Sequence, residues 1–230
     1  MANVSEKIIT KVLQLSPDIV LLQESHIPFT RNRSQIATKL QAHGYNCTPD
    51  EPASELPTSH LDHKYRLGTE TLSKFDVSNF SQHKLPNPGL MRDNWVSHDK
   101  FLTKTDISYE GQCVSVINVH LLPFHKFSQD ADSLEYNKYW KSILDVFRNN
   151  ICEPYSILGG DLNLTSRNKR FREIKSLGLQ PLVYTDWTDS GTFTQLDWIM
   201  ATKNIRSHST QVGRHDYSDH KYLAAEITLI

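Results

Sequence analysis

Little in this 230-residue sequence asks for a special environment. Its three cysteines, Cys47, Cys113 and Cys152, are odd in number, far apart and in no CxxC spacing. That excludes a disulfide framework and a zinc knuckle and points to a reducing compartment. No apolar run approaches the roughly 18 residues of a membrane span. The opening MANVSEKIIT has neither the basic start nor the apolar centre of a signal peptide, so the chain reads as cytoplasmic. A charge excess is missing too: 25 Lys and Arg against 26 Asp and Glu leave a formal charge of −1. Attraction to a phosphate would therefore have to come from local charge. With no repeat, low-complexity tract or Pro/Ser linker, residues 1–230 read as one α/β domain. A serine hydrolase is excluded: there is no GxSxG elbow, and the adjacent Ser218, Asp219 and His220 cannot form a triad with one another.

What is there is an alternation of helices and strands. Ile8, Ile9, Val12, Leu13 and Leu15 predict a helix over 4–15, with Asn3 and Glu6 spaced as a capping box. DIVLLQE predicts a strand buried on both faces and ending at Glu24. A second helix is expected over 34–41, with Ile36 and Leu40 inward and Gly44 as its stop. From Pro49 to Pro88 the composition suggests long surface loops broken by one strand near 67–75. VSVINVH, SILGGDLNL, TFTQLDWIMA and KYLAAEITLI read as strands. DSLEYNKYWKSILDVF and residues 169–177 read as amphipathic helices. Taken alone, the alternation suggests a doubly wound parallel sheet.

Polar groups recur at the ends of these strands: Glu24, His120, Asp161 with Asn163, Asp197, and Asp219 with His220. Any one of them is explained by a turn or a helix cap. Together they suit a site at a sheet edge, where loops can vary without disturbing the core. Glu24 and Asp219 are oxygen ligands for a hard cation, Mg²⁺ or Mn²⁺, that would clamp a phosphate for in-line attack. Asp161 and His220 could then handle the proton of an attacking water, Asp197 would fix the tautomer of His220, and Asn163 would donate to a phosphate oxygen. Gly159 and Gly160 let backbone or substrate approach closely.

In order, PDIVLLQE, INVHL, GGDLN, LDWI and SDH resemble the endonuclease/exonuclease/phosphatase superfamily, the group with the DNase I-like fold. The blocks span residues 17–220. The resemblance implies a four-layer α/β sandwich of two mainly antiparallel sheets flanked by helices, and metal-dependent hydrolysis of phosphate esters. It also implies roles: Glu24 and Asp219 on the metal, His120 on the phosphate, Asp161 and Asn163 orienting the nucleophile, Asp197 supporting His220. It leaves open whether Asp161 or His220 removes the proton. Family members usually begin with a strand ending in a metal-binding asparagine, whereas here a helix starts almost at once. Asn3 is therefore both a candidate substrate-site residue and a plain helix cap, and the first strand is expected to be short or missing. The function expected is a monomeric phosphodiesterase, a nuclease before all. The alternatives are a phosphomonoesterase, a lipid or inositol-phosphate phosphodiesterase, and a weakened binding module.

Three further features have a bland reading beside a functional one. HLDH, residues 60–63, lacks other ligands at zinc spacing. The basic run Arg167, Lys169, Arg170, Arg172 and Lys175 could touch a polyanion, with Arg167 nearest the GDLN block, or could simply be the wet side of a helix. Trp187, in YTDWTDSG, is a candidate for stacking on a base, whereas Trp198 in an apolar strand reads as core.

Overall fold

The structure is a computed structural model whose described residues are 4–48, 54–55, 65–214 and 217–230. Asn3 and the HLDH segment lie outside them. In chain order the elements are α1 (Val4–Leu15), β1 (Ile19–Pro28), α2 (Gln35–Gln41), β2 (Asn46–Cys47), β3 (Ser54–Glu55), β4 (Tyr65–Ser73), β5 (Val77–Lys84), β6 (Met91–Arg92) and β7 (Trp95–Val96). There follow β8 (Phe101–Tyr109), β9 (Gln112–His120), α3 (Asn137–Asn150), β10 (Ser156–Asp161), α4 (Lys169–Lys175), β11 (Leu179–Pro181), β12 (Asp197–Thr202), β13 (Ile205–Gly213) and β14 (Tyr222–Leu229). No helix among them is long and apolar enough to cross a membrane.

The helices form where the apolar spacing places them. In α1, Ile9 and Val12 turn inward. In α2, Ser34 caps the N-terminus by accepting from the Ala37 amide at 3.1 Å, and Ile36 and Leu40 are buried. Trp140, Ile143 and Phe147 form the buried stripe of α3. Two sheets separate the helix pairs. One has the order β1-β4-β2, with β3 also on β4; the other runs β11-β12-β10-β9-β8-β5. Val20 and Leu72 of the first sheet pack on α1 and α2. Ile117, Val119, Leu158 and Met200 of the second pack on the side of α3 and α4. Val116, Ile157 and Ala201, with Leu21 and Ile199, fill the space between the sheets. Four layers result, the DNase I-like sandwich, and β9–β10 is the one parallel pair among the described residues.

The structure departs from the sequence reading at several places. Among the described residues of 49–88 there is a second long strand besides β4: β5, an edge strand on β8. VSNFSQHK escaped the pattern because an edge strand needs no apolar face and because its register shifts between Ser78 and Ser81, where Asn79 has φ +48°. Glu24 is not the end of β1. It sits, exposed, in a bulge between Leu22 and Ser25 with φ +52°, and the strand continues to Pro28. The predicted strand over 192–201 begins only at Asp197, because the residues before it form a turn closed on Asp189. Among the described residues, β14 pairs only with β13, as a ribbon separate from the two larger sheets.

Candidate active site

Strand register lines up the first three groups. Asp161, the last residue of β10, is paired with His120 at the end of β9 on one side and with Asp197 at the start of β12 on the other. Gly160 makes this possible: at φ +140°, a Cβ there would lie 1.9 Å from the Val119 carbonyl oxygen. Asp161 is held by its neighbour Asn163, whose backbone amide donates to Oδ1 at 2.8 Å and whose side-chain amide donates to Oδ2 at 3.0 Å. The same side-chain nitrogen donates to the Leu121 carbonyl at 2.9 Å. Both amide hydrogens of Asn163 are thus engaged, so the donation expected toward a phosphate goes to Asp161 and the backbone instead. Burial, and the charge of Asp197 beside it, push Asp161 up to about 7, against the pull of His220, the Asn163 amide and Lys100.

His220 closes the row. Its Nδ1 lies 2.7 Å from Asp197 Oδ2, and its Nε2 lies 3.7 Å from Asp189 Oδ1. Burial disfavours the imidazolium, but the hydrogen bond and charge of Asp197, with Asp161 and Asp219, outweigh it and raise His220 to about 9. Asp189 is a group the sequence did not single out. Burial alone would raise its carboxyl; hydrogen bonds from Thr192 and the Gly191 amide, with the charge of His220, hold it below its ordinary value. The turn it organises is tied to the His220 segment by Ser190 N–H donating to the Asp219 carbonyl and Lys221 N–H donating to the Thr188 carbonyl. Two groups of side chains bring their oxygen and nitrogen atoms within 4.8 Å of one another: Asp161, Asp197 and His220, and Asp189, Asp219 and His220.

Glu24 approaches from the other sheet, across a small cavity that it lines with Thr69, His98, Lys100 and His120. Lys100 is the second group the sequence did not reveal. It is buried at 7% exposure, with Nζ 3.2 and 3.1 Å from the two ring nitrogens of His120. Among the described residues it has no carboxylate at ion-pair distance. Burial lowers it to about 8, with Glu24 and Asp161 opposing. His120 is forced well below its ordinary value by burial and then by Lys100. The 3.5 Å approach of His120 Nε2 to Asp161 Oδ2 is therefore a neutral imidazole beside a carboxyl, not an ion pair.

The outer candidates divide. Arg170 is buried and structural, its guanidinium donating to the Ala131 carbonyl, Asn137 and Glu173. Arg167 stays exposed next to α4, where its carbonyl accepts from Arg172. Trp198 is core, its indole N–H donating to the Leu164 carbonyl at 2.8 Å. Trp187 is half-buried beside the His220 segment, with Lys221 Nζ 3.5 Å from its ring centroid.

The model of the endonuclease/exonuclease/phosphatase family matches residues 1–220. The chain belongs to this family, whose members hydrolyse phosphate esters. Solved structures agree on the fold. A family protein from Leptotrichia buccalis aligns with TM-score 0.71 and 16% identity over 98% of this chain and 93% of its own. A Bacteroides thetaiotaomicron mannosyl-6-phosphatase gives 0.65 and 13% over 98% and 90%. D. rerio TDP2 complexed with single strand DNA product gives 0.60 and 15% over 98% and 91%. No curated protein matches the sequence.

Proposed function

We propose that the chain is a divalent-metal-dependent phosphodiesterase acting on nucleic acid. The observation that carries this reading is the contact of Asp161 with the His220–Asp197 pair: a carboxyl poised near neutrality beside an imidazole held protonated. Asp161, oriented by Asn163, takes the proton of the attacking water. His220 stays cationic and neutralises charge that builds on the phosphate, with Asp197 fixing its ring. Lys100 and the neutral His120 face the phosphate from the opposite side.

The donor set fits a hard divalent cation. Carboxylates dominate it, and no thiol joins either metal-capable group among the described residues. Asp219 belongs to one of those groups and Glu24 to neither. Asp219 and the carboxylates beside it would therefore hold the Mg²⁺ or Mn²⁺, which when bound offsets phosphate charge as a Lewis acid, while Glu24 lines the cavity at His120. The three cysteines are free, in keeping with a cytoplasmic setting. The fold shared with a DNA-bound TDP2 supports a nucleic-acid diester, and the mannosyl-6-phosphatase makes a sugar phosphate the control substrate. With Mn²⁺, cleavage of a single-stranded oligonucleotide is expected, lost in Asp161→Ala and His220→Ala. Undiminished turnover in both variants would overturn the assignment.

A further inference from the structure

Phe193 is out of place by two measures. Its side chain is 69% exposed, and its backbone sits at φ +53°. The left-handed region is unfavourable for a bulky residue and persists only where the surroundings impose it. Here they do: Phe193 N–H donates to the Asp189 carbonyl at 2.9 Å, while Asp189 holds the Gly191 and Thr192 amides and the Thr192 hydroxyl. The same carboxylate lies 3.7 Å from His220. A strained turn thus presents an exposed phenyl ring beside the catalytic row, and among the described residues it joins none of the buried core clusters.

The neighbours of the ring define what it suits. Trp187 stands edge-on to Phe193, with centroids 5.9 Å apart and planes at 72°. Lys221 lies 3.5 Å from the Trp187 ring centroid, and the guanidinium of Arg214 lies 5.9 Å from it. The expectation that Trp187 itself stacks on a base is therefore modified: Lys221 already covers its ring, and Trp187 instead backs the exposed Phe193. An exposed phenyl ring set on a tryptophan that carries two cations matches a planar base carried on a phosphate backbone.

We propose that Phe193, backed by Trp187, whose own ring carries Lys221 and Arg214, is a stacking subsite for the base next to the scissile phosphate of a single-stranded nucleic acid. This rests on the phosphodiesterase reading and adds the substrate feature that the site recognises. The full chain in EDTA, so that nothing is cleaved, is titrated with a fluorescent thymidine hexanucleotide and with an abasic strand of equal length and charge. The base-bearing strand is expected to bind roughly 10-fold tighter or more. Phe193→Asn, a residue that accepts positive φ, should lower its affinity toward that of the abasic strand. Equal binding of the two strands by the unaltered protein, or an equal loss for both in the variant, overturns the subsite, including the case where a protein partner is what covers Phe193. Adding Mn²⁺ separates the two proposals. Base-dependent binding without cleavage overturns the phosphodiesterase and leaves the subsite. Cleavage without base dependence does the reverse.

Discussion

Replacing Lys100 by methionine should make the protein more stable and less active. The side chain is buried against His120, with no ion-pair partner among the described residues, and burial holds it to about 8 instead of 10.5. That gap means the folded state disfavours the ammonium by roughly 3 kcal/mol, the attraction to Glu24 and Asp161 already included. Methionine keeps the length and removes the charge, so Lys100→Met should gain up to about 3 kcal/mol at pH 7, or roughly 6–12 °C in Tm for a chain of this size. The sign fixes the pH course. Because the folded value lies below the unfolded one, the unfolded chain binds more protons between about 8 and 10.5, and the stability of the lysine protein rises through that window. The advantage of the variant should therefore be complete below pH 8 and fade toward pH 10.5. Urea unfolding in EDTA at several pH values measures it, and hydrolysis should fall by about 10²- to 10³-fold, the loss typical of one charge-stabilising donor. A less stable variant at pH 7, or an advantage constant with pH, would refute the reasoning; a variant of full activity would remove Lys100 from the phosphate.

Other expectations are more direct. Asp197→Asn should lower the His220 titration from about 9, because burial then acts against Asp161 and Asp219 alone; an NMR titration of the imidazole in EDTA reads it, and an unmoved titration contradicts the pairing. The linkage follows: a raised histidine stabilises the fold fully below about pH 6.5 and loses that contribution as pH rises through about 9, so Asp197→Asn should be most destabilising at the acid end of that range. Gly160→Ala places a methyl 1.9 Å from the Val119 carbonyl at a φ of +140°, and should cost about 3 kcal/mol or more. A loss under about 1 kcal/mol in denaturant unfolding would mean that the strand ends shift freely, contrary to the register that aligns His120, Asp161 and Asp197.

The juxtaposition of these polar groups was legible in the sequence because they stand at strand ends. An apolar run that stops at Asp161, and another that stops at His120, put those side chains at one sheet edge whichever way the sheet is wound. Sheet direction was less legible: short helices between strands suggest parallel crossovers, and only the family resemblance pointed to antiparallel pairing. Lys100, Asp189 and Phe193 stayed hidden for a different reason. Each lies in a polar, irregular segment, and what marks it is a property of the folded chain: the burial of an amine, the closure of a turn, a positive φ. Arg170 shows the converse, since a basic residue in a basic run reads as solvated until its guanidinium is seen to bond Ala131, Asn137 and Glu173.

Glu24 shows how a residue in one sheet comes to serve a row built by the other. Its aim depends on the bulge between Leu22 and Ser25, and that bulge is anchored by Asn118, a fully buried amide in the middle of VINVH. Asn118 Nδ2 donates to the Leu22 carbonyl at 3.2 Å and to the Glu70 carbonyl at 3.0 Å, and its Oδ1 accepts from Gln23 at 2.7 Å. An amide among β-branched residues would be a poor core choice if it lacked partners, since an unsatisfied buried polar group costs about 1–3 kcal/mol. Here its hydrogen bonds are directional across an interface where apolar packing is not. Val116, Ile157 and Leu21 hold the two sheets together but would tolerate a slide of one over the other. Asn118, two residues before His120, fixes the register of β1 against β9, and through it the position of Glu24 relative to His120 at the end of the same strand.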